Sequence, residues 1–279
     1  MKFKLGSKSY NGSRPLVMGV LNITPDSFYA GSRYYKKDQA VEKGIEMAGA
    51  GADILDIGGE SSRPGAAQVT EDEELARVIP VIESLKTHIA IPVSIDTCRS
   101  KVAAEALNAG AAIVNDISAL QLDQEMAGIV ETSGASVVLM HMQGTPRTMQ
   151  KNPQYGDVVE EILGFLKERV DFAVGRGIPK EKIIVDPGIG FGKMLEHNLA
   201  LLNNAGRFHE TGCAVLIGAS RKSMIGAITG APAEERIWGT AAITACCVLK
   251  NVEIHRVHDV GAMRQVCDVA AAVRGESWN

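Results

Sequence analysis

The sequence predicts an α/β protein: a (β/α)8 TIM barrel filling one domain, residues 1–279, with a short N-terminal β-hairpin. Three observations carry that reading. Short runs rich in Val and Ile recur from Pro15 onwards (PLVMGVLN, ADILDIGG, IPVSIDT, AAIVNDI, ASVVLMH, KIIVDPG, AVLIGAS and VEIHRVHD), which makes eight strand candidates. Their hydrophobicity is continuous rather than alternating, as parallel strands buried on both faces require. Amphipathic stretches separate them, and strand–helix alternation repeated eight times over such a length is the barrel signature. An open doubly wound sheet is the alternative arrangement of the same elements.

Along the chain, FKLGSKSY alternates like a small hairpin and is expected to cap the closed end of the barrel. The clearest helix runs from Asp157 to Val174, where Val159, Ile162, Leu163, Leu166, Val170 and Ala173 fall at three- and four-residue steps; Gly177 and Pro179 stop it. Thr240 to Leu249 is the longest apolar-rich run, too short to span a bilayer, and reads as a buried helix. The stretch VDPGIGFGK, residues 185–193, has the look of a phosphate cradle, but its spacing is wrong. Gly188 and Gly192 enclose three residues where a P-loop needs four, Met194 follows Lys193 where it needs Ser or Thr, and the glycines read G-x-G-x-G. They predict a tight, close-packed backbone and leave Asp186 to be explained.

Composition narrows the function classes. A 46% hydrophobic share with 22% charged residues is ordinary for a globular enzyme, and 29 Gly against 10 Pro fits many tight turns. A net charge of −4 offers no basic stripe for nucleic acid or an anionic membrane. The five cysteines show no C-x-x-C spacing and no grouping with histidine, so reduced, mostly buried thiols are expected. With no apolar core in MKFKLGSKSY, a cytoplasmic protein is expected.

In such barrels the active site lies at the C-terminal strand ends. The eight runs end in Asn22, Asp56, Asp96, Asn115 with Asp116, His141, Asp186, Ser220-Arg221-Lys222, and Arg256 with His258. One strand-end Asp can simply cap a helix; so many ionisable groups at one mouth point to a binding site. Asp96, Asn115, Asp186 and Lys222 suit a flat heterocycle with adjacent N–H donors and a carbonyl. Arg63, Arg221, Arg256 and His258, with Asn22, supply donors for a polyanion. A molecule with a hydrogen-bonding ring at one end and phosphates at the other satisfies both sets.

The motifs MGVLNITPDSF (18–28), GGESSRPGA (58–66), IDT (95–97), NDI (115–117), LMHMQGTP (139–146), DPGIGFGK (186–193), GASRKSMIG (218–226) and RVHDV (256–260) resemble those of the dihydropteroate synthase family. They cover essentially the whole chain, in order. The resemblance implies a (β/α)8 barrel that condenses 6-hydroxymethyl-7,8-dihydropterin pyrophosphate with 4-aminobenzoate, whose position sulfonamides contest. It further implies that Asp96, Asn115 and Asp186 bind the pterin edge, that Lys222 meets its carbonyl and ring nitrogen, and that Met140 and Phe191 line the pocket. Arg63, Arg256 and His258 match pyrophosphate positions and Asn22 the Mg²⁺ position; Phe28, Ser62, Pro64 and Ser223 surround the aminobenzoate, and Arg221 stacks across the entrance. A homodimer, Mg²⁺ as cofactor, and no nucleic-acid or membrane partner are part of the same expectation. Chemistry at the pterin's exocyclic methylene would pass through a loose, carbocation-like transition state with no protein nucleophile, so catalysis rests on positioning and electrostatics.

Not every residue is assigned to ligand. His141 reads as a hydrogen-bonded structural histidine, Lys193 as structural or at the pocket edge, and Trp238 and the methionines as packing. Asp56 either shapes the second strand-end loop or touches ligand. Two related readings stay open: a pterin-binding methyltransferase domain, and a homologue that binds pterin without condensing it. The chain also departs from the family's D-S-F-S-D-G-G, reading Asp26-Ser27-Phe28-Tyr29-Ala30-Gly31-Ser32, and has Ser62 where Thr is usual. Loss of the second acid at Ala30 predicts a higher Mg²⁺ requirement and a weaker aminobenzoate KM.

Overall fold

The computed structural model describes residues 1–23, 33–60 and 69–275. Eight parallel strands close into a barrel: β3 (Leu16–Asn22), β4 (Ile54–Gly58), β5 (Val93–Asp96), β6 (Ile113–Asp116), β7 (Ser136–Met140), β8 (Ile183–Asp186), β9 (Ala214–Ile217) and β10 (Ile254–Val257). They pair in sequence order, and β10 returns to β3, with Arg256 opposite Met18. All eight sequence-derived strands are present, and the closed ring replaces the doubly wound alternative.

The strands' continuous hydrophobicity resolves into two clusters. Met18, Ile54, Ile113, Val138, Ile184, Leu216 and Ile254 point inward and fill the barrel, while Val17, Leu55, Ile95, Val114, Val137, Val185 and Val215 point outward under the helices. Period-two alternation sorts the side chains, and both faces are apolar because both are covered.

The hairpin of β1 (Phe3–Leu5) and β2 (Lys8–Tyr10) closes the N-terminal end, as expected. Phe3 and Leu5 join the inner cluster, and Ser136 Oγ, at the start of β7, accepts from Gly6 N at 3.0 Å and donates to Lys4 O at 2.9 Å.

Between the strands lie α1 (Arg33–Gly49), α2 (Glu71–Lys86), α3 (Ser100–Ala109), α4 (Met126–Ser133), α5 (Val158–Gly175), α6 (Leu195–Asn203), α7 (Ser223–Thr229) and α8 (Ile237–Leu249), with α9 (Val260–Arg274) last. Helix α5 starts where the sequence placed it: Asp157 caps it, accepting from Val159 N at 2.9 Å and Glu160 N at 3.1 Å. Helix α8 corrects an expectation. It was to be buried, yet only Thr240, Thr244, Cys247 and Val248 of it are, and Trp238 is 81% exposed rather than packed. Its apolar residues run almost all round the helix, so composition could not say which face the barrel would cover. Among the described residues no helix is long and apolar enough to cross a membrane.

Candidate active site

Each inward strand position that plugs the barrel is followed, two residues on, by a residue of the same face one layer higher. Ile54 is followed by Asp56, Ile113 by Asn115, Val138 by Met140, Ile184 by Asp186 and Ile254 by Arg256; Asp96 and Asn22 end β5 and β3. An apolar plug therefore carries a polar floor at the C-terminal mouth.

Arg256 is the centre of that floor. Its Nε donates to Asp56 Oδ2 at 2.6 Å and its Nη2 to Asp96 Oδ2 at 2.7 Å, while Asn115 Nδ2 donates to Asp56 Oδ2 at 3.1 Å. Asp56 is fully buried, and its Oδ1 has no hydrogen-bond partner among the described residues. It thus acts beneath the pocket, through Arg256 and Asn115. Burial pushes Asp96 up to about 7; Arg256 pulls against that, and the Asp56, Glu74 and Asp116 charges add to it.

Asp186 and Lys222 face this floor from β8 and from the residue capping α7. Asp186 Oδ1 accepts from Gly188 N at 2.7 Å, and burial raises its carboxyl against the opposing pull of Lys222. Lys222 Nζ donates to Ile189 O and lies 4.6 Å from the Phe191 ring centroid, a cation–π contact. Burial brings its ammonium down to about 8, with Asp186 opposing. Met140, 3% exposed, completes the wall.

The glycines of residues 186–193 now have their explanation. Gly188, Gly190 and Gly192 adopt φ of +70°, +82° and +64°, and a Cβ on Gly188 would stand 2.0 Å from His141 O. The backbone is pressed against the β7 loop; it shapes a wall and cradles no phosphate. Gly188→Ala is expected to cost at least about 3 kcal/mol, combining left-handed strain with a backbone clash. A melting temperature within a few degrees of the parent's, read by circular dichroism, would contradict that.

Other expected residues lie at the rim. His258 Nδ1 is 3.0 Å from Ser220 Oγ, and Ser223 opens α7 at the surface. Arg221, at φ +56°, is held by Asp259 through Nε–Oδ2 at 2.8 Å and Nη2–Oδ1 at 2.5 Å. Asp116 turns away from the mouth and organises its own loop, accepting from Ser118 N and Leu120 N, each at 2.8 Å. His141 is structural, as expected: buried and neutral, its pKa brought down to about 3 by burial, with Lys193 Nζ at 3.0 Å. Phe28, Ser62, Arg63 and Pro64 lie outside the described residues, as does Ala30.

Sequence reasoning did not find the Asp56–Arg256 pair. The signal was present, since Asp56 follows Ile54 by two, but pairing it with Arg256 required knowing that the barrel closes.

For a divalent cation the described residues offer little charge. No group of three among His, Cys, Asp and Glu could hold one. Asn22 Oδ1 and Asp96 flank the space above Gly58, where a Cβ would lie 3.4 Å from Asn22 Oδ1 and 3.6 Å from Asp96 Cβ. That donor set fits an Mg²⁺ ion held mostly by a substrate's phosphates and its own waters.

The sequence profile of the pterin binding enzymes matches residues 18–258. The dihydropteroate synthase of Synechocystis sp. is 45% identical over 263 residues, covering 94% of this chain and 91% of that protein. Among solved structures, the Yersinia pestis dihydropteroate synthase in complex with a sulfonamide drug superposes with a TM-score of 0.92 at 40% identity, covering 98% and 99% of the two chains. The Xanthomonas albilineans enzyme in complex with 7,8-dihydropteroate does so with a TM-score of 0.89 at 39% identity, covering 99% of each.

Proposed function

This chain belongs to the pterin-binding enzyme family, and we infer that it works as a dihydropteroate synthase of folate biosynthesis. It condenses 6-hydroxymethyl-7,8-dihydropterin pyrophosphate with 4-aminobenzoate, giving 7,8-dihydropteroate and pyrophosphate. The observation that carries this most is the set of buried Asn115 and Asp186 with half-buried Asp96, facing Lys222 in one barrel mouth. Two carboxylates accept from the N–H edge of the ring, and the ammonium donates to its carbonyl.

The described mouth is built to bind and polarise. Asp96 and Asp186 stabilise positive charge developing on the ring as the C–O bond breaks, and Arg256 with His258 draws charge onto the leaving group. Phe191 and Met140 hold the ring flat, which keeps the methylene in line for the incoming amine. Arg63 and Lys222 complete the catalytic set in this reading, with Phe28, Ser62, Pro64, Ser223 and Arg221 around the aminobenzoate. Mg²⁺, carried in with the diphosphate and touching Asn22, would supply further neutralisation of the departing pyrophosphate. The test is pyrophosphate release by the purified protein, which must depend on both substrates and Mg²⁺. No release with both substrates and Mg²⁺ present, or release that 4-aminobenzoate does not accelerate, would refute it.

The free-enzyme pKa values set a pH profile. Ring binding needs Asp96 ionised and Lys222 protonated, so kcat/KM for the pterin substrate should fall below about 7 and again above about 8. A profile flat from pH 6 to 9 would show that other groups control binding.

The same reading makes the protein a homodimer. An apolar groove between α8 and α9, lined by Ala241, Ala245, Leu249, Val266, Val269 and Val273, leaves Val269 65% and Val273 74% exposed. A second copy of the chain, laid groove to groove, would cover it. Val269→Lys together with Val273→Lys should convert the dimer to a monomer in sedimentation velocity, and an unchanged sedimentation coefficient would refute this interface. Five unpaired cysteines suit a reducing cytoplasm.

A further inference from the structure

Five consecutive carbonyls of the loop between β8 and α6 each accept from a different side chain. Lys222 Nζ donates to Ile189 O, Gln150 Nε2 to Gly190 O at 2.7 Å, and Lys193 Nζ to Phe191 O at 2.9 Å. Tyr155 OH donates to Gly192 O at 2.8 Å and Asn198 Nδ2 to Lys193 O at 3.3 Å. On the pterin reading, Lys222 must turn from Ile189 O to the ring's carbonyl when substrate arrives. The other four then have to hold the loop, and with it the Phe191 ring.

Lys193 stands apart among these four. It is 3% exposed, and besides Phe191 O it reaches the end of β7, with Nζ 3.0 Å from His141 Nδ1 and 3.4 Å from His141 O. Three acceptors around Nζ match the three protons of an ammonium group. His141 is suited to accept, because its ring is neutral and set edge-on against Phe165 at 4.9 Å. His141 also follows Met140, and its N–H donates to Asp186 O at 3.0 Å. Burial pulls the Lys193 pKa well below the ordinary lysine value, with the Asp186 charge opposing, and through these hydrogen bonds one buried amino group ties together the two loops that carry Met140, Asp186 and Phe191.

We propose that Lys193, braced by His141, is a positioning residue of the pterin subsite: it fixes the Phe191 ring, and through it the path of Lys222, without touching substrate. The proposal rests on the pterin reading of the site. Its effect should fall mainly on the pterin substrate, because Lys193 holds residues 186–193, whereas Phe28, Ser62, Pro64, Arg221 and Ser223, the residues matched to the aminobenzoate, lie in other segments of the chain. Gln150, Tyr155 and Asn198 hold neighbouring carbonyls, so the loop keeps most of its hydrogen bonds when Lys193 is changed.

The test compares the parent with Lys193→Met, which keeps an unbranched stem and removes the donors. Binding of 6-hydroxymethylpterin is measured by titration calorimetry, and turnover by pyrophosphate release. The expected result is a pterin Kd and a pterin-substrate KM raised about tenfold or more, with aminobenzoate KM and saturated kcat within about threefold. Lys193→Gln, which keeps two donors, should recover part of the pterin affinity. His141→Phe, which keeps the edge contact with Phe165 and removes the acceptor, should weaken it about threefold. A parent that neither binds pterin nor releases pyrophosphate would overturn the functional reading itself. A competent parent beside a Lys193→Met variant of parental pterin affinity overturns the positioning role alone, and so do equal losses toward both substrates. Failure of both Lys193 variants to fold makes the residue structural and the proposal false.

Discussion

Asp186→Asn is expected to lower kcat/KM for the pterin substrate by on the order of 2 to 4 kcal/mol, a loss of roughly thirty- to a thousand-fold, in a chain that still folds. The carboxylate accepts from Gly188 N with Oδ1, and an asparagine can keep that bond with its amide oxygen. It cannot keep the second acceptor. Its NH2 group would meet the N–H edge of the ring donor to donor, and the negative charge opposite Lys222 would be gone. Burial already disfavours the ionised form of Asp186, so removing the charge relieves a cost in the empty protein. The variant should therefore be as stable as the parent, or more so, while losing turnover. A well-folded Asp186→Asn enzyme with near-parental kcat/KM would remove Asp186 from the ring site.

The split between activity and stability follows from how the fold and the site were written in the sequence. Strand positions were legible because parallel barrel strands are apolar on both faces, and the polar residue after each run marks where the strand leaves the core. Asp96, Asn115, Asp186 and Arg256 could be read off as mouth residues for that reason. What they touch was not legible. Asp56 and Arg256 are 200 residues apart and meet only because β10 closes against β3, beside β4. Sequence spacing placed Arg256 and His258 on one face and could not say that the guanidinium lies on two carboxylates of the floor. Helix α8 was misjudged for the opposite reason: it is apolar almost all round, so its composition could not say which face the barrel covers, and part of it is open. The spacing of Gly188, Gly190 and Gly192 already set them apart from a phosphate motif and predicted a tight backbone, and their positive φ values and the His141 carbonyl behind Gly188 give that tightness its steric cause.

Arg256→Met should therefore reveal a stability role as well as a catalytic one. The substitution fills much of the side chain's volume with apolar atoms and leaves Asp56, fully buried, and Asp96 without their shared cation. Breaking a buried pair by removing one partner costs about 3 to 5 kcal/mol, because the charge left behind has lost both water and its counterion. For a chain of this size that lowers the melting temperature by roughly 6 to 15 °C. The sign of the pH dependence follows from Asp96. Its carboxyl is raised even beside Arg256, and without the guanidinium it rises further, so the folded variant holds a proton that the unfolded chain releases. Stability of the variant should then be highest in mild acid and fall as pH rises through Asp96's folded pKa, which lies above the parent's value of about 7. Ring binding, which needs Asp96 ionised, should demand the same higher pH at which the fold is weakest. Adding Asp56→Asn, a near-isostere without the charge, should return about half of the lost stability while leaving turnover low. Melting curves at pH 5.5 and 8 for the parent, the single and the double variant decide the matter: an Arg256→Met protein that melts with the parent at both pH values would show that the two carboxylates do not depend on Arg256.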